Sequence, residues 1–433
     1  MAMINAYAGK GAVAAEDRRL IARREAVLGP AYRLFYETPV HFVRGEGVWL
    51  YDSNGDAYLD AYNNVVSVGH CRPEVVEAIA RQSAVLNTHT RYLHDGIVAY
   101  SERLLAKFPS ELSHVMYTCT GSEANDLALR IAKNVTGGTG FVVTELAYHG
   151  GTDLIAGLSP SLGPAVDLGE HVRTVPAPDT LKVPAGKLGS YFADGVRAAI
   201  ADLKRHGIKP AALLVDTIFS SDGVYSDPPD FLREAVAAAR DAGLLFVADE
   251  VQPGFGRTGD AMWGFLRHDV APDIVTLGKP MGNGYPIAGL AIRPEVVEAF
   301  GRSSRYFNTF GGSPVACAAG MAVLDVLEKE RLQENAREVG AYLRSQVKGL
   351  SSSFVADVRG AGLFIGVEIA ANDKSRTDGE ITARIVNGLR ERRVLISATG
   401  PKANVLKIRP PLVFSKNNAD QLVDALRAVL NSL

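Results

Sequence analysis

The sequence predicts an α/β protein built around a mostly parallel sheet, and two short apolar runs support this prediction. Residues 244–248 (Leu-Leu-Phe-Val-Ala) end at Asp249, and residues 274–278 (Ile-Val-Thr-Leu-Gly) end at Lys279. Apolar runs of this length are typical of central strands that are buried on both faces of a parallel sheet. Ligands of such sheets bind beyond the carboxyl ends of the strands. We therefore expect the carboxylate and the amine to share one site.

An acid and a lysine at two strand ends are the groups that one cofactor, pyridoxal phosphate, requires. A lysine holds this cofactor as a Schiff base, and an acid pairs with its ring nitrogen. Lys279 alone would indicate little, because the chain has 46 Lys plus Arg residues and most such side chains are solvated. Its position at the end of a predicted strand favours a functional role.

The stretch 249–259 (Asp-Glu-Val-Gln-Pro-Gly-Phe-Gly-Arg-Thr-Gly), followed by 277–279 (Leu-Gly-Lys), resembles the signature of the class III aminotransferases. The resemblance covers nearly the whole chain, with several motifs in the same order. It implies the fold type I architecture, which combines a large domain built on a mostly parallel seven-stranded sheet with a smaller α+β domain. It also implies pyridoxal 5′-phosphate as the cofactor.

The resemblance assigns roles to four residues of this stretch. It implies that Lys279 binds the cofactor covalently and that Asp249 holds the pyridine nitrogen. It further implies that Val251 lies under the ring and that Gln252 contacts the ring hydroxyl. In this chemistry the lysine, once displaced by a substrate amine, is the base at the substrate carbon.

A competing motif lies in the same stretch. Residues 254–259 read GxGxxG, the pattern of dinucleotide sites. That pattern works only when the third glycine packs against a helix whose N-terminus receives the pyrophosphate. Residues 260–264 form no long amphipathic run, and Pro253 interrupts the exit from the strand. We therefore do not expect a nicotinamide cofactor.

The composition excludes several classes of protein. A chain of 433 residues, 47% of them hydrophobic, is long enough for two domains. A net charge of −2 gives no indication of nucleic-acid or membrane binding. Cys71, Cys119 and Cys317 show no metal-binding spacing, so we expect reduced thiols, no metal and a cytoplasmic protein.

The chain is predicted to divide into three segments. Residues 1–60 contain a charged helix, which Gly29 and Pro30 end, and a hairpin around the turn 52–55 (Asp-Ser-Asn-Gly). Residues 61–315 form the large cofactor-binding domain. Residues 316–433 form the small domain, which by the resemblance the N-terminal segment completes. Strands of the small domain are predicted at 363–369, 394–397 and 405–408.

A turn into a helix is the predicted phosphate site. A strand at 114–118 leads through Cys119–Asp126 into a helix, and such a turn offers free backbone N–H groups to an anion. An ordinary serine cap is the alternative for a Gly-Ser pair alone. Because the whole turn matches that of the family, we expect Gly121 and Ser122 to hold the cofactor phosphate.

Two further strand ends carry candidate residues. Tyr148 follows the predicted strand 141–143, and the resemblance implies that its ring covers the outer face of the cofactor ring. Its neighbour His149 is predicted to have a structural role. The strand 211–215 ends at Asp216, where the family usually has Glu, so we expect Asp216 to act only behind the site.

A segment before a long helix predicts a homodimer. The resemblance of residues 305–314 implies that Thr309 reaches across a dimer interface to the cofactor phosphate of the partner, so that two subunits share each active site. The alternative for Thr309 is a loop residue that caps the helix.

The substrate prediction rests on three segments, 62–71, 86–95 and 405–411. They resemble the alanine–glyoxylate aminotransferase 2-like branch, which includes ethanolamine-phosphate phospho-lyases. Arg409 falls where family aminotransferases bind a substrate carboxylate, and it could bind either anion bidentately. Arg72 is either a second cation for a phosphate or a solvated surface residue. We predict elimination of phosphate from a phosphorylated amino alcohol such as O-phosphoethanolamine, giving aldehyde, ammonia and phosphate. Transfer of an amino group between an amine or amino acid and a 2-oxo acid is the alternative.

Overall fold

The computed structural model describes residues 5–9, 11–372 and 375–433. Within these ranges the strands, in chain order, are β1 (Phe42–Glu46), β2 (Trp49–Asp52), β3 (Ala57–Asp60), β4 (His114–Thr118), β5 (Gly140–Thr144), β6 (Val172–Val175), β7 (Pro210–Asp216), β8 (Leu245–Asp249), β9 (Ile274–Leu277), β10 (Ala288–Ile292), β11 (Val355–Ala361), β12 (Phe364–Ile369), β13 (Val394–Leu395), β14 (Ser397–Thr399) and β15 (Val405–Ile408). The α-helices are α1 (Ala15–Leu28), α2 (Pro73–Ser83), α3 (Asp95–Leu105), α4 (Gly121–Thr136), α5 (Asp153–Ala156), α6 (Leu188–Arg205), α7 (Arg233–Asp241), α8 (Pro294–Ser303), α9 (Pro314–Lys329), α10 (Leu332–Lys348), α11 (Asp378–Glu391) and α12 (Lys416–Leu430).

The largest sheet has seven strands in the order β4-β10-β9-β8-β7-β5-β6. Strands β6, β5, β7, β8 and β9 pair in parallel, whereas β10 runs antiparallel to both of its neighbours. Every residue of β5 and β9 is buried, as expected for strands that are covered on both faces. The predicted mostly parallel sheet of seven strands is confirmed.

The register of the central strands aligns their carboxyl ends. Asp216 at the end of β7 is paired with Asp249 at the end of β8, and Asp249 is paired with Thr276 of β9. Lys279 follows the last residue of β9 by two positions. The acid and the lysine that the sequence places at strand ends therefore lie at the same edge of the sheet.

Strand β10 is not predicted from the sequence. It reads Ala-Gly-Leu-Ala-Ile and lies between β4 and β9. A Cβ atom at Gly289 would lie 2.5 Å from the carbonyl oxygen of Met116 on β4. The close approach of the two backbones requires glycine here, and glycine weakens the sequence signal for a strand.

Two four-stranded sheets complete the fold, in the orders β1-β2-β3-β13 and β11-β12-β15-β14. Strand β3 pairs in parallel with β13, so the N-terminal and C-terminal segments share a sheet. The predicted strand at 394–397 is two short strands, because the chain passes at Ile396 from one sheet to the other. The domain limits at residues 60 and 315 stay a prediction, and residues 1–4 and 10 of the first segment lie outside the described residues.

In the part of the chain that the structure describes, no helix is long and apolar enough to span a membrane. The same residues contain no group of three or more His, Cys, Asp or Glu side chains that could hold a metal ion.

Candidate active site

A cavity of about 350 Å³ lies at the carboxyl ends of the central strands. We call it the first cavity. It brings together most of the site residues predicted from the sequence, namely Gly121, Ser122, Tyr148, Asp249, Val251, Gln252 and Lys279. A second cavity, of about 360 Å³, is lined by Tyr62, Asn64, Arg409 and again Lys279. The lysine therefore faces both cavities.

The predicted phosphate turn is the N-terminus of α4. Thr120, and not Ser122, caps this helix, because Thr120 and Glu123 form a reciprocal capping box. The hydroxyl of Ser122 instead accepts a hydrogen bond from the backbone N–H of Gly151 at 3.1 Å. A Cβ atom at Gly121 would lie 2.9 Å from Val251, so only glycine allows this close approach. The turn thus offers a helix N-terminus to an anion in the first cavity.

Three hydrogen bonds hold the carboxylate of Asp249. Its Oδ2 atom accepts from the amide of Asn125 at 3.0 Å and lies 2.7 Å from Nδ1 of His149. Its Oδ1 atom accepts from the backbone N–H of Val251 at 3.0 Å. The carboxylate of Asp249 is therefore fixed in position beside the first cavity.

The amine of Lys279 has a lowered pKa. Removal of the amine from water lowers its pKa below the ordinary lysine range, and the nearby positive charge of Arg409 lowers the pKa further. The carboxylates of Asp249 and Asp216 oppose this shift. A neutral amine is both a nucleophile and a base, which are the two roles expected of this lysine.

Asp216 lies behind the site. Its carboxylate accepts hydrogen bonds from the backbone N–H groups of Ile218 and Ser220, at 3.1 and 3.0 Å. Desolvation raises the pKa of Asp216, and the charge of Asp249 in the neighbouring strand adds to that increase. Asp216 is not among the residues that line either cavity.

Arg409 is a buried cation of the second cavity. Its Nη1 atom donates to Oδ1 of Asn64 at 2.9 Å and to Oε1 of Gln252 at 2.5 Å. Its guanidinium carbon lies 4.3 Å from the centre of the Tyr62 ring. Among the described residues it forms no ion pair with a carboxylate, and its Nε atom has no hydrogen-bond partner.

The sequence analysis missed Lys407, a buried lysine near Arg409. Burial lowers the pKa of Lys407, and the neighbouring Arg409 lowers it further. No carboxylate of the described residues forms an ion pair with it. Lys407 lies on β15, and Arg409 directly follows the last residue of that strand.

Arg72 and Thr309 are the predicted residues that the structure does not bring to the two cavities. Arg72 is held on another surface by Glu74, at 2.6 Å, and by Glu330, and these two acids compensate its charge. Thr309 is an exposed loop residue. It does not cap α9, because the hydroxyl of Ser313 does so.

The GxGxxG segment 254–259 leads into a short 3-10 turn, Gly264–His268, and not into an α-helix that could receive a pyrophosphate. Its glycines serve packing. A Cβ atom at Gly259 would lie 2.6 Å from the backbone of Arg337 on α10.

The residues of the first cavity fit pyridoxal phosphate. A helix N-terminus is available for the phosphate, and the Val251 side chain and the half-exposed Tyr148 line the same space. A fixed carboxylate and a lysine amine complete the set of groups that this cofactor needs.

Comparisons with known proteins agree with this assignment. Residues 35–430 match the family model of the class III aminotransferases. An alanine–glyoxylate aminotransferase 2-like protein of Drosophila melanogaster is 38% identical over 431 residues, covering 95% of this chain and 87% of that protein. The ethanolamine-phosphate phospho-lyase homolog 1 of Caenorhabditis elegans is 35% identical, covering 95% of this chain and 93% of its own length.

A solved structure has the same fold over nearly the whole chain. It is a phospholyase from Arthrobacter in complex with phosphoethanolamine, with a TM-score of 0.92 and 44% sequence identity, covering 96% of this chain and 100% of the other. The resemblance that the sequence motifs indicate is therefore confirmed. This chain belongs to the class III aminotransferase family, in the branch of the alanine–glyoxylate aminotransferase 2-like proteins and ethanolamine-phosphate phospho-lyases, and its cofactor is pyridoxal 5′-phosphate.

Proposed function

We propose that this enzyme eliminates phosphate from a phosphorylated amino alcohol such as O-phosphoethanolamine, giving acetaldehyde, ammonia and phosphate. The observation on which the proposal depends is Arg409, the cation that lines the second cavity. Its side chain is buried, and within the described residues it forms no ion pair with a carboxylate. An unpaired buried charge is costly, so a site of this kind favours a ligand that brings negative charge.

The acids Asp222 and Asp216, which lie near Lys407, accept hydrogen bonds from other residues. Asp222 accepts hydrogen bonds from the hydroxyl of Thr144 at 2.8 Å and from the backbone N–H of Leu146 at 3.1 Å. Burial raises the pKa of Asp222 to about 7, which reduces the counter-charge that it can supply. Asp216 likewise accepts from backbone groups of its own turn.

The charge of the ligand favours a phosphate over a carboxylate. A phosphate monoester carries about −1.5 to −2 charges at neutral pH, whereas a carboxylate carries one. An arginine without an acidic partner therefore attracts a phosphate more strongly than a carboxylate. Arg257, another buried arginine, donates to the backbone carbonyls of Leu363 and Pro410, and burial lowers its pKa to about 9.

The residues of the site can carry out the elimination without an oxidant. When bound, pyridoxal phosphate acts as an electron sink for the substrate carbon that bears the nitrogen. The amine of Lys279 takes the proton from this carbon. The electron pair left behind breaks the C–O bond on the adjacent carbon, and phosphate leaves towards Arg409. The two-carbon fragment then takes up water and ends as acetaldehyde and ammonia.

The relatives support both this proposal and its alternative. The Arthrobacter protein, at 44% identity, is a phospholyase solved with phosphoethanolamine. The Drosophila protein carries the name of an aminotransferase. Arg409 could also bind the carboxylate of an amino acid, so transfer of an amino group to a 2-oxo acid is the second candidate function.

We also propose that the active unit is a homodimer in which Thr309 reaches the cofactor phosphate of the partner. The loop around Thr309 lies against the segment 86–94, since the ring of Phe307 packs on His89 with centroids 5.7 Å apart. These two segments expose apolar side chains to an extent that suits an interface. The exposed residues are Leu86, Tyr92, Leu93, Phe307 and Phe310.

Replacement of Arg409 tests the proposed phosphate site. Arg409→Met should lower kcat/KM for O-phosphoethanolamine by a factor that corresponds to about 1.5–3 kcal/mol, the range for hydrogen bonds to charged groups. Arg302→Met, on the exposed face of α8, is the matched control and should leave turnover unchanged. Unchanged turnover of O-phosphoethanolamine in Arg409→Met would refute this site.

A further inference from the structure

Asn64, Gln252 and Arg409 form a closed set of hydrogen bonds between the two cavities. The amide nitrogen of Asn64 donates to Oε1 of Gln252 at 2.8 Å. Arg409 donates to that same oxygen at 2.5 Å and to Oδ1 of Asn64 at 2.9 Å. All three side chains are buried. Gln252 lines the first cavity, whereas Asn64 and Arg409 line the second.

This arrangement fixes the orientation of both amides. The Oδ1 atom of Asn64 faces the guanidinium, so its amino group must be the end that meets Gln252. The Oε1 atom of Gln252 accepts two hydrogen bonds, so its amino group is the end that is left for a ligand. Gln252 can therefore act on a cofactor atom only as a hydrogen-bond donor.

The partners of Arg409 also determine how much of its charge remains available. An amide oxygen orients a guanidinium but carries no formal charge. A carboxylate at the same place would form an ion pair and cancel most of the attraction for a second anion. Residue 64 thus decides whether Arg409 is a free anion receptor or a neutralised structural residue.

We infer that Asn64 is a specificity-determining residue, which positions Arg409 through a neutral amide and so keeps the guanidinium charge for the substrate phosphate. This inference rests on the proposed function for the identity of the anion. It assigns to Asn64 a role that neither the sequence motifs nor the relatives indicate.

The test is the dissociation constant of inorganic phosphate, measured by calorimetry on the cofactor-loaded protein. Asn64→Asp should weaken phosphate binding at least tenfold, because the new carboxylate pairs with Arg409. Asn64→Ala should have the smaller effect, because it removes the orienting oxygen but adds no charge. A purely structural role predicts the reverse order, since Asp has the shape of Asn and Ala does not.

Asn417→Asp is the matched control. It adds the same charge in the exposed first turn of α12, at a residue that lines neither cavity. Phosphate affinity within about threefold of wild type is expected for this variant, because solvent and salt screen an exposed charge that does not face the site. Cofactor content and the melting temperature verify that each variant is folded.

The two levels of the proposal can fail separately. Equal phosphate affinity in Asn64→Asp and wild type, or a larger loss in Asn64→Ala than in Asn64→Asp, would overturn the role of Asn64. Failure of the proposed function would instead appear in the wild-type enzyme, as an absence of phosphate release from O-phosphoethanolamine. In that case the same order of variants, measured with an amino acid substrate, would still support Asn64 as the residue that keeps Arg409 charged.

Discussion

His149 and Asp249 form a buried contact in which Nδ1 of the imidazole lies 2.7 Å from Oδ2 of the carboxylate. With Asn125 and the backbone of Val251, His149 holds the acid from behind. The protein alone therefore determines the position of this carboxylate beside the first cavity. The contact agrees with the structural role that the sequence predicts for His149.

Asp249→Asn should keep the cofactor bound but lower kcat about 100-fold or more, the range for loss of one catalytic electrostatic contact. An amide cannot hold the ring nitrogen in its protonated form. Its amino group would also face a hydrogen-bond donor, either the amide of Asn125 or the backbone N–H of Val251. The measurement is kcat together with cofactor content, and Asp241→Asn on the exposed end of α7 is the control. Near-wild-type kcat would remove Asp249 from the mechanism.

Thr276 controls the orientation of Asn125. Its hydroxyl donates to Oδ1 of Asn125 at 2.7 Å, which leaves the amide nitrogen to donate to Asp249 and to the carbonyl of His149. Thr276→Val leaves that oxygen without a donor, and we expect a loss of about 1–3 kcal/mol in stability. The pH dependence of the visible absorption of the bound cofactor should also change.

Thr276→Ser is the control for this prediction, because it keeps the hydroxyl. It should restore the wild-type pH dependence even where its stability is slightly reduced. If the serine and valine variants have the same spectra, the hydroxyl of Thr276 does not orient Asn125.

The lowered pKa of Lys279 predicts the pH dependence of cofactor binding. Only the neutral amine can bond to the cofactor, and a lowered pKa makes the amine neutral at lower pH. The rate at which cofactor-free protein gains the visible absorption band should therefore rise with pH and reach half its maximum below the ordinary lysine range. Because Arg409 contributes to the lowering, Arg409→Met should move this midpoint to higher pH. A midpoint that stays in the ordinary lysine range in the wild-type protein would contradict the pKa shift.

The shared active site of the proposed dimer can be tested by mixing two inactive variants. Lys279→Ala lacks the lysine, and Thr309→Asp places a negative charge where the partner's cofactor phosphate would lie. In a mixed dimer, one site combines the intact Lys279 of one subunit with the intact Thr309 of the other. Random mixing should then restore about a quarter of wild-type activity in a closed two-fold dimer. No recovery, or a fully active monomer in sedimentation, would refute the shared site.

The sheet and the cofactor end of the site follow from local sequence, whereas the substrate end does not. Asp249 and Lys279 are predictable because each ends a continuous apolar strand, and parallel strands present their carboxyl ends at one edge. Asn64 meets Arg409 across 345 positions of the chain. No local pattern indicates a contact of that separation, so the sequence showed Arg409 without its partners.

Burial and tertiary contacts account for the other differences between the sequence-based predictions and the structure. Lys407 reads as one more lysine in a charged chain, and only the fold shows that it is buried beside Arg409. Arg72 reads as a candidate cation, but Glu330 at the end of α9 pairs with it through the tertiary structure. In both cases the function of a charged side chain depends on its neighbours in space and not on its motif.

Turnover on O-phosphoethanolamine alone, with no 2-oxo acid present, tests the proposed elimination most directly. A lyase regains its starting form after each turnover, so the enzyme should release phosphate and acetaldehyde in equal amounts and far beyond one per subunit. An aminotransferase must receive a 2-oxo acid to regain that form and would stop after one turnover. Continuous, equimolar release is the predicted result. No phosphate release, together with brisk consumption of an amine in the presence of pyruvate, would contradict the proposal and make this enzyme an aminotransferase.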